Sequence, residues 1–343
     1  MSAVLSSSSS GGVWAASWRR LKTDRVGLVS MGVVAAFLVL VLLVASGVIA
    51  SGWQSEVGVP NAPPTLLGPQ PPEDTGAIAV PKGPNVDLSD IDPLAPRYAE
   101  WAERAKQFKT VDTVKAETLP LGGDRLGRDV LAKVLQGAEV SIVVGLAAAL
   151  VATLIGTVLG ALSGFFGGKV GDFLEWVYNV FTAIPSILLI FAFAAIVSRG
   201  IGSVVLILAL TGWTGIYRLI RAEFMKHRVR EYVRSAEAIG ASQWSRMFKH
   251  ILPNVSHVAL VQLSLHVVSF IKSEVILSYL GLGVGVDQVS WGTMLAEAQG
   301  ELILGYWWQL AAVTAFMAVF VTAFALFTDA LRDALDPKLR GLE

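Results

Sequence analysis

The chain has 343 residues, of which 54% are hydrophobic and only 16% are charged. This composition excludes an ordinary soluble domain and is typical of an integral membrane protein. The formal net charge is zero and the chain contains no cysteine. No overall positive field therefore points to a nucleic-acid partner, and disulfides, thiolate metal sites and cysteine nucleophiles are excluded.

The chain begins with a serine-rich stretch and a basic lead-in, WRRLKTDR, at residues 18–25. A basic lead-in before an apolar run also suits the start of a secretory signal. The uncharged run that follows exceeds the roughly 7 to 15 residues of a signal-peptide core, which favours an uncleaved membrane anchor. We expect a cytoplasmic tail over residues 1–25 and a first transmembrane helix over 26–52.

Residues 53–120 differ from the rest because they hold most of the prolines and few apolar side chains. A polar piece from Tyr98 to Lys115 has helical character. Dense proline and sparse apolar residues argue against a full independent domain. We interpret this region as an extracytoplasmic insertion, because long loops cross the membrane largely regardless of their charge.

The insertion is followed by LGGDRLGRD, residues 121–129. Its glycines permit a tight turn, and Asp124 can cap the helix that follows. Carboxylates and arginines this close also suit a catalytic or metal site, but no histidine or further carboxylate cluster accompanies them. We interpret Asp124, Gly127, Arg128 and Asp129 as a structural motif.

Five further apolar stretches are near or above the roughly 18 to 20 residues that cross a bilayer. Together with the first they predict an all-α integral membrane protein with six transmembrane helices. Four of these five stretches carry no charged residue, whereas residues 254–282, the fifth predicted span, contain Lys272 and Glu274. The stretches are residues 140–168, 176–198, 200–217, 254–282 and 302–328.

Two features inside these stretches concern helix packing. Glycine recurs every four residues at positions 156, 160, 164 and 168, a small-residue face that lets helix backbones approach closely within the subunit or against a partner. Pro185 lies inside residues 176–198, the third predicted span, and predicts a kink there. The sequence GFFGGKV at residues 164–170 is superficially similar to a phosphate loop. It lacks the first glycine and the Ser or Thr of that motif, so we do not interpret it as a nucleotide-binding site.

Basic residues in the short loops set the predicted orientation. With the N-terminus inside, the inner segments hold nearly all of the short-loop lysines and arginines, whereas the outer loops hold only Arg199. Both termini are therefore predicted to be cytoplasmic, with a cytoplasmic tail over residues 329–343. The inner set includes Arg19, Arg20, Lys22, Arg25, Lys169, Arg218, Arg221, Lys226, Arg228, Arg230, Arg234, Arg246, Lys249, Arg332, Lys338 and Arg340.

The central inner loop, residues 223–253, has two short helical patterns that meet at Gly240. Apolar or small residues recur at helical spacing on each side of that glycine. This pattern suits a docking surface for a soluble partner, or equally an amphipathic loop lying on the lipid surface. The recurring residues are Val229, Tyr232, Val233, Ala236 and Ile239, then Trp244, Met247, Phe248 and Ile251.

This loop resembles the EAA loop of the permease subunits of ABC importers. Arg234, Ser235 and Ala236 occupy the triplet position, so the triplet departs from Glu-Ala-Ala. Gly240 then follows at the family spacing, and the Ile-x-Leu-Pro ending aligns with His250, Leu252 and Pro253. In that family the loop sits in a cleft of the ATP-binding subunit, so the resemblance implies that these residues couple the permease to ATP hydrolysis.

Other stretches resemble the dipeptide and oligopeptide branch of the family, in order and with matching spacing. The resemblance covers the lead-in and nearly all of residues 121–340. It departs in residues 53–120, which are longer than usual, and at Lys272. The matching stretches are LGGDRLGRD, the Gly-Trp segment at 212–213, SYLGLG at 278–283, SWGTMLAE at 290–297 and DALRDALDPK at 329–338.

Lys272 and Glu274 are two positions apart on the fifth span, hence on different faces of the helix. Ionisable groups in a span usually face a cavity or each other, or their side chains extend to the interface. Glu274 matches a family glutamate. Two interpretations stay open: both side chains snorkel to the interface, or they line the translocation path or contact the binding protein.

The resemblance implies a type I ABC importer permease fold in the bacterial inner membrane, with a permease core over 121–328. It further implies a homologous second permease, two ATP-binding subunits that hold ATP and Mg²⁺, and an extracytoplasmic solute-binding protein. We expect no bound cofactor, metal or catalytic residue, since the four histidines form no ligand set. Di- and oligopeptides are the implied solutes, with nickel, glutathione or peptide antibiotics as alternatives. An ion-driven secondary transporter is the rival class.

Overall fold

The computed structural model of the chain describes residues 20–69, 92–106 and 115–335. The serine-rich start, part of the proline-rich stretch and the end of the C-terminal signature lie outside these ranges. So do Arg19, Lys338 and Arg340 of the predicted inner basic set.

The described residues are mostly helical. Helical residues 20–23 precede the first complete helix. The helices that follow are α1 Arg25–Ala45, α2 Tyr98–Ala105, α3 Val130–Phe166, α4 Gly168–Thr182, α5 Ser186–Ile196, α6 Ile201–Arg228, α7 Glu231–Ala238, α8 Gln243–Tyr279, α9 Trp291–Ile303 and α10 Trp308–Leu335.

The helices account for all six predicted spans. Among the described residues, α1, α3, α6, α8 and α10 are each long and apolar enough to cross a membrane. The sixth span is the α4–α5 pair, which passes the same test when its two helices are taken together. The prediction of an all-α membrane protein is therefore confirmed.

The third predicted span is a broken helix rather than a kinked one. α4 ends at Thr182, α5 begins at Ser186, and the two axes differ by 86°. Pro185 directly precedes α5 with an extended backbone ψ of 128°. Proline has no amide hydrogen and disfavours a helical conformation in the residue before it, so the chain ends one helix and starts another.

Several helices extend beyond the apolar stretches that predicted them. α3 begins at Val130 and includes Lys133 and Glu139, while α6 continues through basic residues to Arg228. α10 runs to Leu335, into the predicted tail. The predicted spans in these three regions stop at the first charged residue on each side. A helix continues through charged residues wherever their side chains find partners or water.

The glycine face of α3 packs against α6. A β-carbon on Gly160 would lie 2.7 Å from the carbonyl oxygen of Tyr217, and one on Gly164 would lie 2.5 Å from that of Arg221. Gly156 is equally crowded, because its β-carbon would lie 1.9 Å from the side chain of Ile216. The predicted packing face is confirmed within the chain.

Gly168 does not belong to this face. It begins α4, has a φ of +48°, and has open space around the position of a β-carbon.

Residues 287–301, predicted as a loop, contain most of α9. Ser290 caps this helix in a capping box with Thr293, each side chain accepting a hydrogen bond from the other's backbone amide. Leu302, predicted to start the last span, is still part of α9. A turn then leads to Trp308, where α10 begins.

Residues 55–129 form a separate unit. In its described parts, isolated backbone bridges join Gly58 to Ala116 and Pro64 to Leu119, and Lys115 pairs with Glu56 at 3.0 Å. The predicted helical piece is present as α2, which ends at Ala105. Residues 107–114 of that piece lie outside the described residues.

Candidate functional site

The basic segment, defined as residues 223–253, comprises the end of α6, all of α7 and the start of α8. α7 ends in a Schellman motif, in which the Gly240 amide donates to the Glu237 carbonyl and the Ala241 amide donates to the Ala236 carbonyl, both over 2.9 Å. Gly240 has a φ of +88°, a left-handed conformation that glycine adopts without steric cost. Ser242 then caps the start of α8.

One side of the basic segment is part of the hydrophobic core. Val233 of α7 and Met247 and Ile251 of α8 are buried in a cluster with apolar side chains of α3 and α6. Ala236, in the triplet position, is also buried. These residues therefore join the segment to the spans, and this side does not lie on a lipid surface. The spans contribute Ala161, Phe165, Ile216, Ile220 and Phe224.

Polar contacts reinforce the joint between the basic segment and α3. Arg246 Nη1 lies 2.6 Å from Glu237 Oε1, which ties α8 to α7. The Arg246 guanidinium also lies over the ring of Phe165, 5.6 Å from the ring centroid. Arg228 Nη1 donates to the carbonyl oxygen of the same Phe165 over 2.9 Å. The end of α3 thus contacts both arginines.

The opposite side of the segment is exposed and apolar as well as basic. Arg234, Ser235 and Gly240 are exposed. Ile239 is 86% exposed and Trp244 is 57% exposed. Aromatic residues and arginine are the residue types enriched where proteins bind one another.

The structure divides the apolar stripe that the sequence suggested for α7. Val233 and Ala236 are buried, whereas Val229, Tyr232 and Ile239 are exposed. α7 is only eight residues long, and Val229 and Ile239 lie outside it. The helical spacing therefore does not hold at the two ends of the stripe.

The Leu-Pro end of the motif follows a π-helical turn. Residues 246–251 form this turn within α8, directly before Leu252 and Pro253. Pro253 has no amide to donate to the preceding turn, and the Asn254 side chain donates to the His250 carbonyl over 2.7 Å. His250 and Leu252 are partly buried and Pro253 is exposed.

Tyr232 adds no charge to the exposed side. Burial raises the pKa of its hydroxyl, against opposing effects of the Arg230 charge and a hydrogen bond with Asn254. Its oxygen lies 2.8 Å from Nδ1 of His227. A tyrosine with a raised pKa is neutral at physiological pH, so the positive charge of this surface comes from its arginines and lysines.

Glu274 lies within a second group, the Glu274 cluster, formed with Ser141, Ser278 and Trp291. Its side chain is 0% exposed and accepts hydrogen bonds from the hydroxyls of Ser141 and Ser278, each over 2.7 Å. Ser141 in turn accepts from the Trp291 amide over 3.1 Å. The cluster links α3, α8 and the start of α9.

Glu274 therefore does not snorkel to the interface, and that interpretation is wrong for this residue. Val275, the next residue of α8, lies close to α9, because a β-carbon on Gly292 would lie 2.4 Å from the Val275 carbonyl. The Trp291 indole is fully buried and donates to the Val134 carbonyl over 3.2 Å. Among the described residues, serine hydroxyls donate the hydrogen bonds that the Glu274 carboxyl accepts.

A third polar contact fixes α9 to the neighbouring helices. Lys133 of α3 is 0% exposed, and its Nζ lies 2.5 Å from Glu297 of α9 and 3.4 Å from Gln309 of α10. Gln309 also donates to the Met294 carbonyl over 3.2 Å. Removing either member of a buried ion pair leaves an uncompensated charge, so these residues hold α9 between α3 and α10.

Comparison of the sequence with known proteins identifies the family of this chain. The family model described as the binding-protein-dependent transport system inner membrane component matches residues 156–341. The chain belongs to this family. The matched residues include the whole basic segment and the Glu274 position.

Three relatives of this permease agree on its class. The oligopeptide transport system permease protein of Bacillus subtilis is 34% identical over 247 residues, 72% of this chain and 81% of the relative. The dipeptide transport system permease protein of Lactococcus lactis is 30% identical over 321 residues, 94% and 89% of the two chains. The glutathione transport system permease protein of Pectobacterium atrosepticum is 36% identical over 223 residues, 64% and 73%.

These findings confirm the resemblance to dipeptide and oligopeptide permeases. The chain is an integral inner-membrane component of a binding-protein-dependent transport system. Its class and its location in the inner membrane are thereby established. Contact of the basic segment with an ATP-binding subunit stays a prediction.

The LGGDRLGRD motif of the permease forms a tight turn. Asp124 is fully buried, and its Oδ1 accepts from the amides of Leu126 and Arg128, each over 2.9 Å. Its Oδ2 lies 2.6 Å from Arg128 Nε. Gly127 has a φ of +79°, and a backbone bridge joins Asp129 to Gly123.

Asp124 was predicted to cap the following helix, and this is wrong. α3 begins at Val130, so the position directly before the helix belongs to Asp129. Asp124 stabilises the turn through the amides inside it.

Lys272 is exposed, whereas Glu274 is buried. It lines a groove of about 280 Å³ between α8 and α10, together with Ser269, Thr328 and Asp329. Across the described residues, no group of three or more His, Asp or Glu side chains has the arrangement of a metal site. A path-lining or binding-protein contact for Lys272 and Glu274 stays a prediction.

Sequence reasoning missed four residues of the buried polar contacts: Ser141, Lys133, Glu297 and Gln309. Lys133 lies before residue 140, where the second predicted span begins. A signal was available for α9, since Ser290 and Thr293 have the spacing of a capping box. For Ser141 the sequence contains no such signal, because serine is common in membrane helices and its partner is distant in the chain.

Proposed function

We propose that this chain is the transmembrane permease subunit of an ATP-driven importer of dipeptides and oligopeptides. A homologous second permease completes the path, and an extracytoplasmic solute-binding protein delivers the solute. Two ATP-binding subunits hold ATP and Mg²⁺ and perform the hydrolysis, so this chain itself is not catalytic. Membership of the binding-protein-dependent family and the peptide transport names of its relatives support this proposal.

The observation that carries the proposal is the two-sided basic segment. Its inner side shares a core cluster with α3 and α6 through Val233, Met247 and Ile251. Its outer side exposes Arg234, Ser235 and Ile239. A partner that moves the outer side therefore moves the ends of two spans with it, as a rigid body.

Alternating access follows from this connection. Closure of the ATP-binding subunits displaces the basic segment, and α3 and α6 transmit the displacement along the membrane. The close α3–α6 packing at Gly160 and Gly164 leaves little room for the two helices to slide independently. Interiors packed this tightly transmit strain well.

Charge supports an orientation in which both termini and the basic segment are cytoplasmic. The segment contains Lys226, Arg228, Arg230, Arg234, Arg246 and Lys249, whereas residues 287–301 contain no lysine or arginine. Basic short loops remain on the cytoplasmic side of bacterial membranes. In the proposed orientation the exposed side of the basic segment faces the compartment that contains ATP.

A second solute has support of its own, since one of the relatives is a glutathione transport permease. Glutathione is itself a small peptide, so the same path suits it. Nickel and peptide antibiotics remain alternatives without a comparable observation. An ion-driven secondary transporter is disfavoured because it gives the basic segment no partner.

The proposal is tested by uptake into right-side-out vesicles from which inside-out vesicles have been removed. The vesicles contain the permease pair, its ATP-binding subunits and its binding protein. We expect ATP-dependent accumulation of a labelled tripeptide, with labelled glutathione measured in parallel. Omission of the ATP-binding subunits should abolish the accumulation. Accumulation driven by a proton or sodium gradient without those subunits contradicts the proposal.

A further inference from the structure

A cavity of about 360 Å³ lies beside α7, on the basic segment. Three arginines line it: Arg228 at the end of α6, Arg234 on α7 and Arg246 on α8. The remaining lining residues include a single acidic one, Glu237, together with Phe165 and Phe166 of α3 and Gln243. Three positive charges against one negative charge leave a net charge of +2 in the lining.

The three guanidinium groups differ in how far the chain itself satisfies them. Arg246 pairs with Glu237, yet its buried Nε has no hydrogen-bond partner among the described residues. Arg228 uses Nη1 for the Phe165 carbonyl. Arg234 is exposed and forms no ion pair with any residue that the structure describes.

We propose that this cavity receives a carboxylate side chain of the ATP-binding subunit, with Arg234 as its principal partner. Guanidinium groups bind carboxylates through paired hydrogen bonds, which fix direction as well as charge. The cavity therefore favours an acidic residue over a neutral or basic one.

The position of the cavity gives the contact a mechanical role. Its walls belong to α3, α6, α7 and α8, so a side chain inserted there touches the ends of three membrane helices at once. Ile239, directly after α7, and Trp244, at the start of α8, add exposed apolar surface to the same segment. The inserted carboxylate would set the register of that apolar contact.

This inference rests on the proposed function, and one experiment separates the two. Tagged permease is co-expressed with its second permease and its ATP-binding subunits, and reconstituted into nanodiscs of phosphatidylcholine. The dissociation constant of the ATP-binding subunits is then measured for the unaltered chain, for Arg234→Glu and for Arg332→Glu. Arg332 is an exposed arginine of α10 outside the basic segment, so it receives the same charge reversal.

We expect Arg234→Glu to weaken binding by about tenfold or more, and Arg332→Glu to leave it within about twofold, as for a charge outside the contact. Replacing the contacting acidic residue of the ATP-binding subunit by lysine should restore its binding to the Arg234→Glu permease. No binding of the unaltered chain overturns the proposed function itself. Binding of the unaltered chain with no effect of Arg234→Glu overturns only the carboxylate contact.

An anionic lipid headgroup is the other source of a negative group at this cavity. The phosphatidylcholine nanodiscs contain none, so a loss of binding measured in them cannot arise from lipid. A loss that occurs only in nanodiscs containing phosphatidylglycerol assigns the cavity to lipid and overturns the proposal.

Discussion

At the scale of single residues, Glu274 is a carboxyl group enclosed by the helices and satisfied by two serine hydroxyls. Placing an ionisable group inside a span costs several kcal/mol unless it finds partners. Ser141 of α3 and Ser278 of α8 are these partners. The residue thus holds α3 and α8 together with the start of α9.

We expect Glu274→Ala to destabilise the protein by about 1–3 kcal/mol, because Ser141 and Ser278 each lose a buried hydrogen-bond acceptor. Glu274→Gln is the matched control, since its amide oxygen still accepts one hydrogen bond. Thermal unfolding in detergent checks the difference. Equal melting temperatures for Glu274→Ala and the unaltered chain would show that the cluster contributes nothing to stability.

Gly160 tests the packing of α3 against α6. A β-carbon at this position would lie 2.7 Å from the Tyr217 carbonyl, so Gly160→Ala should force the helices apart and cost about 1–3 kcal/mol. Gly215 of α6 is the control, because a β-carbon there meets no atom within 4 Å. The melting temperature should fall for Gly160→Ala and hold or rise for Gly215→Ala. The reverse order contradicts the assigned interface.

The sequence predicted the glycine face because its four-residue spacing is a local property. It flagged Glu274 as unusual for the same reason, since an acid inside an apolar run is visible in any window. It missed Ser141 as the partner of Glu274, because that pairing joins residues from different helices. It also gave no role to Lys133 of α3, whose partners are the distant Glu297 and Gln309.

At the scale of elements, the joint between α7 and α8 depends on the conformation of Gly240. Its φ of +88° costs an L-residue about 1–2 kcal/mol, while a β-carbon there would meet no atom of the chain within 4 Å. Within the chain, glycine is thus required for its backbone rather than for close packing.

We expect Gly240→Leu to lower ATP-dependent transport more than Gly240→Asn does, since asparagine tolerates the left-handed conformation. Stimulation of ATP hydrolysis by the loaded binding protein should fall in the same order. Those two activities are measured together on reconstituted complexes. If both variants transport normally, Gly240 does not set the geometry of coupling.

Among the elements, the long apolar helices were predictable from length and composition alone. The break between α4 and α5 was not, because proline in a span is compatible with a kink or a full break, and only the surrounding packing decides. The sequence predicts a loop at residues 287–301, where the structure has most of α9. Its boundaries are set by the capping box at Ser290 and by contacts of Trp291 that are remote in sequence.

At the scale of the whole molecule, one side of the basic segment belongs to the permease core and the other faces outward. The sequence predicted the segment from its resemblance to the EAA loop, but not which residues face which way. Periodicity placed Val233 and Ile239 on one stripe, and the end of α7 at Ala238 separates them. Val233 is therefore buried in the core, whereas Ile239 is exposed.

The central claim is that this exposed side faces the cytoplasm and is covered by an ATP-binding subunit. The chain contains no cysteine, so Ser235→Cys, at an exposed position of α7, introduces a single thiol. The most direct measurement is its labelling by a membrane-impermeant maleimide in intact spheroplasts and in inverted vesicles, with and without the ATP-binding subunits. The account predicts labelling only in inverted vesicles, and at least about tenfold slower when the ATP-binding subunits are present. Labelling in intact spheroplasts, or equal rates with and without those subunits, would contradict it.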